Sequence, residues 1–216
     1  MQIRCLGLDN SRYSTGWSVV DINESELKIV GYGAIDTSKI KNEGQTLIYI
    51  EQQFTELFNQ FHPDVIAAEQ MFVGRNAQTG IMLAGIHAIM KLVAAKNNCP
   101  IQYYSIMSAK SIVTGGLKLK KDDGSRKTGN ELKLDVAQAV FNIFPKENFT
   151  NITDDVTDAL SMVITYWKTD GRGIGKQSAN VKSTRAKKKL NVEVNKESKS
   201  KVTNEKTSTS KKKRSS

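Results

Sequence analysis

Ile3-Arg4-Cys5-Leu6-Gly7-Leu8-Asp9 is the stretch whose reading decides the fold. It is a short apolar run, which reads as a buried strand, and it closes abruptly on an acid. Asn10, Ser11, Ser14 and Gly16 follow with turn chemistry. Trp17-Ser18-Val19-Val20 then alternates like a second strand, so the two runs read as a hairpin. A carboxylate ending a central strand is costly unless it is paired or holds a cation. A turn-forming Asp at a strand end is the plainer reading. Other acids arriving at the same point would decide between the two.

Outward from this hairpin, residues 27–35 read as a third strand. Residues 43–61 form an amphipathic helix with Leu47, Ile50, Phe54, Leu57, Phe58 and Phe61 on one stripe, stopped by His62-Pro63. Residues 64–69 are a second apolar run ending on an acid, Glu69. A strand followed by a helix, after an opening meander, predicts a mixed α/β sheet. In such sheets the carboxyl ends of parallel strands gather at one edge, where ligands bind. Residues 76–97 form a helix that is apolar nearly all round, so it must bury more than one face. The expected second cover is another copy of the chain. Gly85, beside Ala84 and Ala88, would allow a close helix approach. Residues 101–106 read as a fifth strand, and Ser108 as the cap of a short helix bearing Lys110. Gly115-Gly116 ends that helix. A basic, Gly-containing loop spans 117–130 with Lys118, Lys120, Lys121, Arg126 and Lys127, longer than a connector needs to be. Helices at 131–144 and from Thr153 or Asp154 to about Trp167 complete the pattern.

The 216 residues divide into a domain at 1–170 and a Lys-rich tail at 171–216. The tail lacks large apolar residues and reads as disordered. Its charge stands apart: residues 172–216 hold 15 Lys/Arg against 3 Asp/Glu, while the preceding residues are nearly balanced. No run of 18 apolar residues is present, so no membrane span is expected. A strand beginning at residue 2 leaves no room for a leader peptide. Two distant cysteines and two histidines argue against zinc or disulfides. A reducing, cytoplasmic setting in a bacterial or phage-infected cell is the expectation.

The last helix opens Thr153-Asp154-Asp155-Val156-Thr157-Asp158-Ala159-Leu160. Asp155 and Asp158 are three apart and share one face of the first turn. Acids there suit the helix dipole, which is the ordinary explanation, but three acids in five positions exceed what capping needs. If Asp9, Glu69, Asp155 and Asp158 converge, two carboxylates about 4 Å apart repel by roughly 4 kcal/mol at an effective dielectric of 20. Such a group calls for cations. Hard oxygen ligands select Mg²⁺ or Mn²⁺, and paired ions of this kind serve in-line phosphoryl displacement.

These residues carry a family resemblance. Gly7-Leu8-Asp9 with Thr15-Gly16, then Ile66-Ala67-Ala68-Glu69-Gln70-Met71-Phe72, then Asp155-x-x-Asp158-Ala159-Leu160 resemble, in order over residues 2–168, the RuvC family of Holliday-junction resolvases in the ribonuclease H-like superfamily. The resemblance implies an α/β fold with a ribonuclease H-like, mixed five-stranded sheet flanked by helices. It implies a homodimeric, Mg²⁺-dependent endonuclease, with two ions per site, that nicks opposed strands of a four-way junction. Asp9, Glu69, Asp155 and Asp158 would hold the metals, with Asp154 a bystander. Lys110 and Lys133 resemble basic residues near the scissile phosphate. Phe72 resembles an aromatic that stacks near the crossover, and Arg75 and Asn76 resemble contacts to backbone phosphate. Lys118, Lys120, Lys121, Arg126 and Lys127 of the basic loop are expected to bind DNA with them. Three departures stand out: Asn10-Ser11 in place of the family's usual Pro-Gly, the longer basic loop, and the Lys-rich tail. Two other readings compete. One is a non-catalytic architectural binder of branched DNA, which would have no use for four acids. The other is a phosphotransferase of the actin and sugar-kinase kind, against which no second Gly-rich phosphate hairpin is found.

Overall fold

The computed structural model describes residues 2–71, 77–149 and 152–171. Ten elements follow in chain order: β1 (Ile3–Asn10), β2 (Ser14–Ile22), β3 (Leu27–Asp36), α1 (Glu43–Phe61), β4 (Val65–Glu69), α2 (Ala77–Lys96), β5 (Ile101–Tyr104), α3 (Ile106–Thr114), α4 (Gly129–Ile143) and α5 (Asp154–Thr169). The strands form one mixed sheet in the order β3-β2-β1-β4-β5. β1, β2 and β3 are an antiparallel meander, and β4 and β5 continue it in parallel with β1. The expected five-stranded sheet is therefore present, with β1 at its centre.

Alternation along β1 sorts its side chains between two helical layers. Leu6 and Leu8 join Ile50, Phe54, Met82, Ile86 and Met90 in the core beneath α1 and α2. Gly7 turns to the other face, against Ala159 and Val163 of α5. A Cβ at Gly7 would fall on the Ala159 carbonyl oxygen, and one at Gly16 on the Asp155 carbonyl. Both positions must lack a side chain for α5 to lie directly on β1 and β2.

Local chemistry sets most of the boundaries. Asn42 caps α1 through Gln45 N, and His62 ends it in the left-handed region. Ser105, not Ser108, caps α3, because the Ser105 side chain accepts from the Ser108 amide. α4 starts two residues before the expected 131, where Thr128 and Glu131 form a reciprocal capping box.

Two features of helix α2 bear on the sequence expectations. First, Gln78–Lys96 is long and apolar enough to cross a membrane by length and composition, with a mean hydropathy of 1.3. Its Met82, Ile86, Met90 and Val93 are buried in the core, as in a core helix of a globular domain. Second, Gly85 faces Leu47 of α1 and serves packing within the domain. The face away from Met82, Ile86, Met90 and Val93 exposes Ile81 (69%) and Leu92 (48%), with Ala84, Ala88 and Ala95 between and beyond them.

Candidate active site

Parallel pairing matches Leu8 with Ala68, so the next residues, Asp9 and Glu69, stand side by side at the ends of β1 and β4. Period-two alternation puts Asp9 on the same face as Gly7, beneath the first turn of α5. That turn carries Asp155 and Asp158. Its height is set by the two glycine contacts, since the Asp155 carbonyl rests over Gly16 and the Ala159 carbonyl over Gly7. The four acids named from the sequence thus meet at one sheet edge, and Asp9 feels the charges of Glu69, Asp155 and Asp158 together.

The electrostatics follow from this crowding. Burial, then the Asp158 charge and the hydrogen bond to Glu69, push the Asp9 carboxyl up to about 8. Glu69 is also raised, chiefly by burial, with its hydrogen bond to Asp9 acting in the opposite sense. Asp158 is raised by burial and partly relieved by Lys110. Asp9 and Glu69 share a hydrogen bond that raises Asp9 and lowers Glu69, which makes Asp9 the donor of the pair. Asp155 accepts from Ser14 Oγ at 2.5 Å. Asp158 accepts from Lys110 Nζ at 3.2 Å, and both of those side chains are mostly sheltered from solvent.

Among the described residues, no three His, Cys, Asp or Glu side chains form a ready metal-binding group. The acids are turned instead toward a shared proton, a hydroxyl and an ammonium. Each of these offsets negative charge, so the donor set is one that a hard divalent cation fits. All ligands would be carboxylate oxygens, the chemistry of a hard divalent cation rather than of zinc.

Lys133 does not reach the acid pocket directly. It pairs with Asp154 at 2.8 Å on the exposed rim, within reach of the charges of Asp158 and Asp155. Phe72, Arg75 and Asn76 lie outside the described residues. The basic segment is not an open loop: Lys120 and Arg126 form an antiparallel bridge, closed by Lys121 N to Ser125 O and Lys127 N to Leu119 O. Lys121 pairs with Glu131 at 2.7 Å and Lys127 with Asp135 at 2.6 Å. Lys118, Lys120 and Arg126 are exposed.

Ser14 was missed by sequence reading. The signal lay in the hairpin register, which pairs Asp9 with Gly16 and so places Ser14, two residues earlier, on the acid-bearing face. Asn10 points the other way, donating to Met90 Sδ at 3.6 Å. Its Oδ1 is buried without a partner among the described residues.

Comparison with known proteins agrees with this arrangement. The family model described as crossover junction endodeoxyribonuclease RuvC matches residues 5–166. A protein of that name from Caldicellulosiruptor saccharolyticus is 27% identical over 165 residues, covering 76% of this chain and 92% of the relative. One from Brachyspira hyodysenteriae is 29% identical over 161 residues, covering 74% and 91%. Among solved structures, Thermus thermophilus RuvC in complex with a Holliday junction substrate superposes with a TM-score of 0.63 at 16% identity, covering 80% of this chain and 98% of that one. The yeast mitochondrial Holliday junction resolvase gives 0.51 at 16% identity, covering 81% and 83%. At these identities the structural likeness speaks for the fold, which is ribonuclease H-like.

Proposed function

Because this chain belongs to the family of crossover junction endodeoxyribonuclease RuvC, we propose that it is an endonuclease that resolves four-way DNA junctions by paired nicks, acting in the cytoplasm of a bacterial or phage-infected cell. The observation that carries this reading is the meeting of Asp9, Glu69, Asp155 and Asp158 at one sheet edge, with Lys110 beside them.

Asp9, Glu69, Asp155 and Asp158 would hold divalent cations, Mg²⁺ with Mn²⁺ able to substitute, two to a site. When bound, these supply charge that lowers the pKa of the attacking water and neutralises the leaving oxygen. The chain's own residues do the rest. Asp9 would serve as a ligand in its carboxylate form. Ser14 holds the Asp155 carboxylate in one orientation. Lys110, which pairs with Asp158 at 3.2 Å, would be placed to meet the scissile phosphate. Lys133 stands further out, on the rim with Asp154, and faces flanking phosphate.

Two opposed nicks need two active sites. The exposed face of α2, with Ile81 and Leu92 in its stripe, is the surface through which a second copy would pack. The basic tail would add phosphate contacts outside the described domain.

A synthetic four-way junction incubated with the purified chain and Mg²⁺ tests the reading. The expected result is a pair of symmetric nicks. Asp158→Asn should lower cleavage by about a thousandfold or more, since several kcal/mol of charge stabilisation depends on that ligand, while binding persists. Undiminished cleavage by this variant would remove the site assignment. Binding by the unaltered chain without any nick would favour the architectural reading.

A further inference from the structure

The segment at 119–127 is a short β-hairpin, and its register sorts its cations into two classes. Lys120 and Arg126 are directly opposed. The flanking bonds run from Lys121 N to Ser125 O and from Lys127 N to Leu119 O, so Lys120 and Arg126 form a non-hydrogen-bonded pair. Such pairs bring their side chains closest, on one face. Residues of opposite parity, Lys121 and Lys127, point to the other face, where Glu131 and Asp135 of α4 receive them. Glu131 and Asp135 are four apart on the helix and so share a face of α4. One face of the hairpin is thus neutralised against the domain. The other carries Lys118, Lys120 and Arg126, exposed and without a carboxylate partner among the described residues.

Like charges placed directly across a strand pair are destabilising. Nothing in the folding of the domain calls for Lys120 opposite Arg126. The hairpin is also anchored where the site is. It joins α3, which carries Lys110, to α4, which carries Lys133, and its last residue adjoins the Thr128 cap of α4.

We propose that this hairpin is a rigid finger that grips the sugar–phosphate backbone of a duplex arm beside the cleavage point. Lys118, Lys120 and Arg126 are its phosphate contacts, and Lys121 and Lys127 are struts that set its angle on α4. This rests on the nuclease reading above and adds the surface that holds the arm. The contacts are to phosphate, so they hold the arm without reading base sequence.

The test measures binding of the full chain to a synthetic four-way junction in EDTA across a salt series. Replacing Lys118, Lys120 and Arg126 together by Gln should reduce the log–log salt slope by about two to three, because each phosphate contact on duplex DNA contributes about 0.9. The conservative exchange Lys120→Arg with Arg126→Lys should restore the slope. Lys28→Gln with Lys146→Gln removes two cations near the far end of α4, about 20 Å away along a helix of this length, and should leave the slope unchanged. A triple variant with a native melting temperature and the unaltered slope would overturn the proposal, as would an equal loss in the remote pair. Intact junction cleavage by the unaltered chain, with hairpin variants indistinguishable from it, overturns the finger alone. Failure of the unaltered chain to bind or cut branched DNA overturns both readings.

Discussion

The two halves of the acid group are held by different means. Asp9 and Glu69 extend from neighbouring parallel strands, and the ladder that pairs Leu8 with Ala68 sets their separation. They have each other, through one hydrogen bond. Asp155 and Asp158 sit on a helix that crosses the sheet, and no backbone ladder ties that helix to the strands. Two bare glycines set its height, and Ser14 and Lys110 tether its carboxylates. Backbone hydrogen bonding alone places the strand pair. The helix pair depends on packing, so it is the half that single substitutions can displace.

The largest expected break in this contrast is Gly16→Ala. Its methyl group would meet the Asp155 carbonyl, and α5 would have to lift. Overpacking of this kind costs about 1–3 kcal/mol of stability. A displacement of about 1 Å at reacting groups costs roughly a hundredfold in rate. The expected outcome is a folded protein with cleavage down by about that factor, read from junction cleavage beside a thermal melt. Full activity would mean that the helix pair is not positioned by this contact.

Ser14→Ala should act less strongly. It removes one hydrogen bond from Asp155 and leaves the backbone alone. Loss of a group that orients a ligand typically costs about 10- to 100-fold in metal affinity or activity. The lower end of that range is expected here, appearing as a raised Mg²⁺ requirement in a titration of cleavage. An unchanged Mg²⁺ dependence would show that the tether has no part in metal binding.

The smallest effect concerns the strand pair and needs no catalysis. Asp9 holds its proton to about pH 8 in the fold but ionises in the ordinary aspartate range, about 4, when unfolded. The folded state therefore binds more protons across that window. Stability of the metal-free protein is greatest below about pH 4 as far as this group is concerned, and is lost as pH rises through about 8. Glu69 and Asp158 are shifted in the same direction. The melting temperature in EDTA should fall by several degrees between about pH 5 and 9, since about 1 kcal/mol corresponds to roughly 2–4 °C for a chain of this size. Mg²⁺ should restore more of it at the upper end. A melting temperature indifferent to pH, with or without Mg²⁺, would separate Asp9 from the acid group.

Much of this was legible before any coordinates. Ile3 to Asp9, the stripe of α1 and the run ending on Glu69 each carry a local pattern strong enough to name the element. The two strand acids could be paired in thought because both close apolar runs. Other features were not legible. Ser105 displaced Ser108 as the cap of α3, since both are serines and only the backbone geometry at Ser105 is that of a cap. The segment at 117–130 read as a loop because its hydrogen bonds run between two polar stretches with no apolar alternation to announce them. Gly85 was read as a place for close helix approach without a partner named, and the partner is Leu47 of α1, because small residues on an all-apolar helix do not reveal which neighbour each one meets.

The amino-acid order by itself determined most of the elements, their sequence along the chain and which four acids to set together, because periodicity and abrupt changes of polarity are local properties. Only the folded chain decided that Ser14 holds Asp155, that Lys133 answers to Asp154, and that the cations at 118–127 divide between those paired with α4 and those left exposed. Those assignments join residues brought together by strand register and by the bare surface that glycine leaves beneath α5. Such distances in space are set by the whole sheet and its packed helix, and no short stretch of sequence contains them.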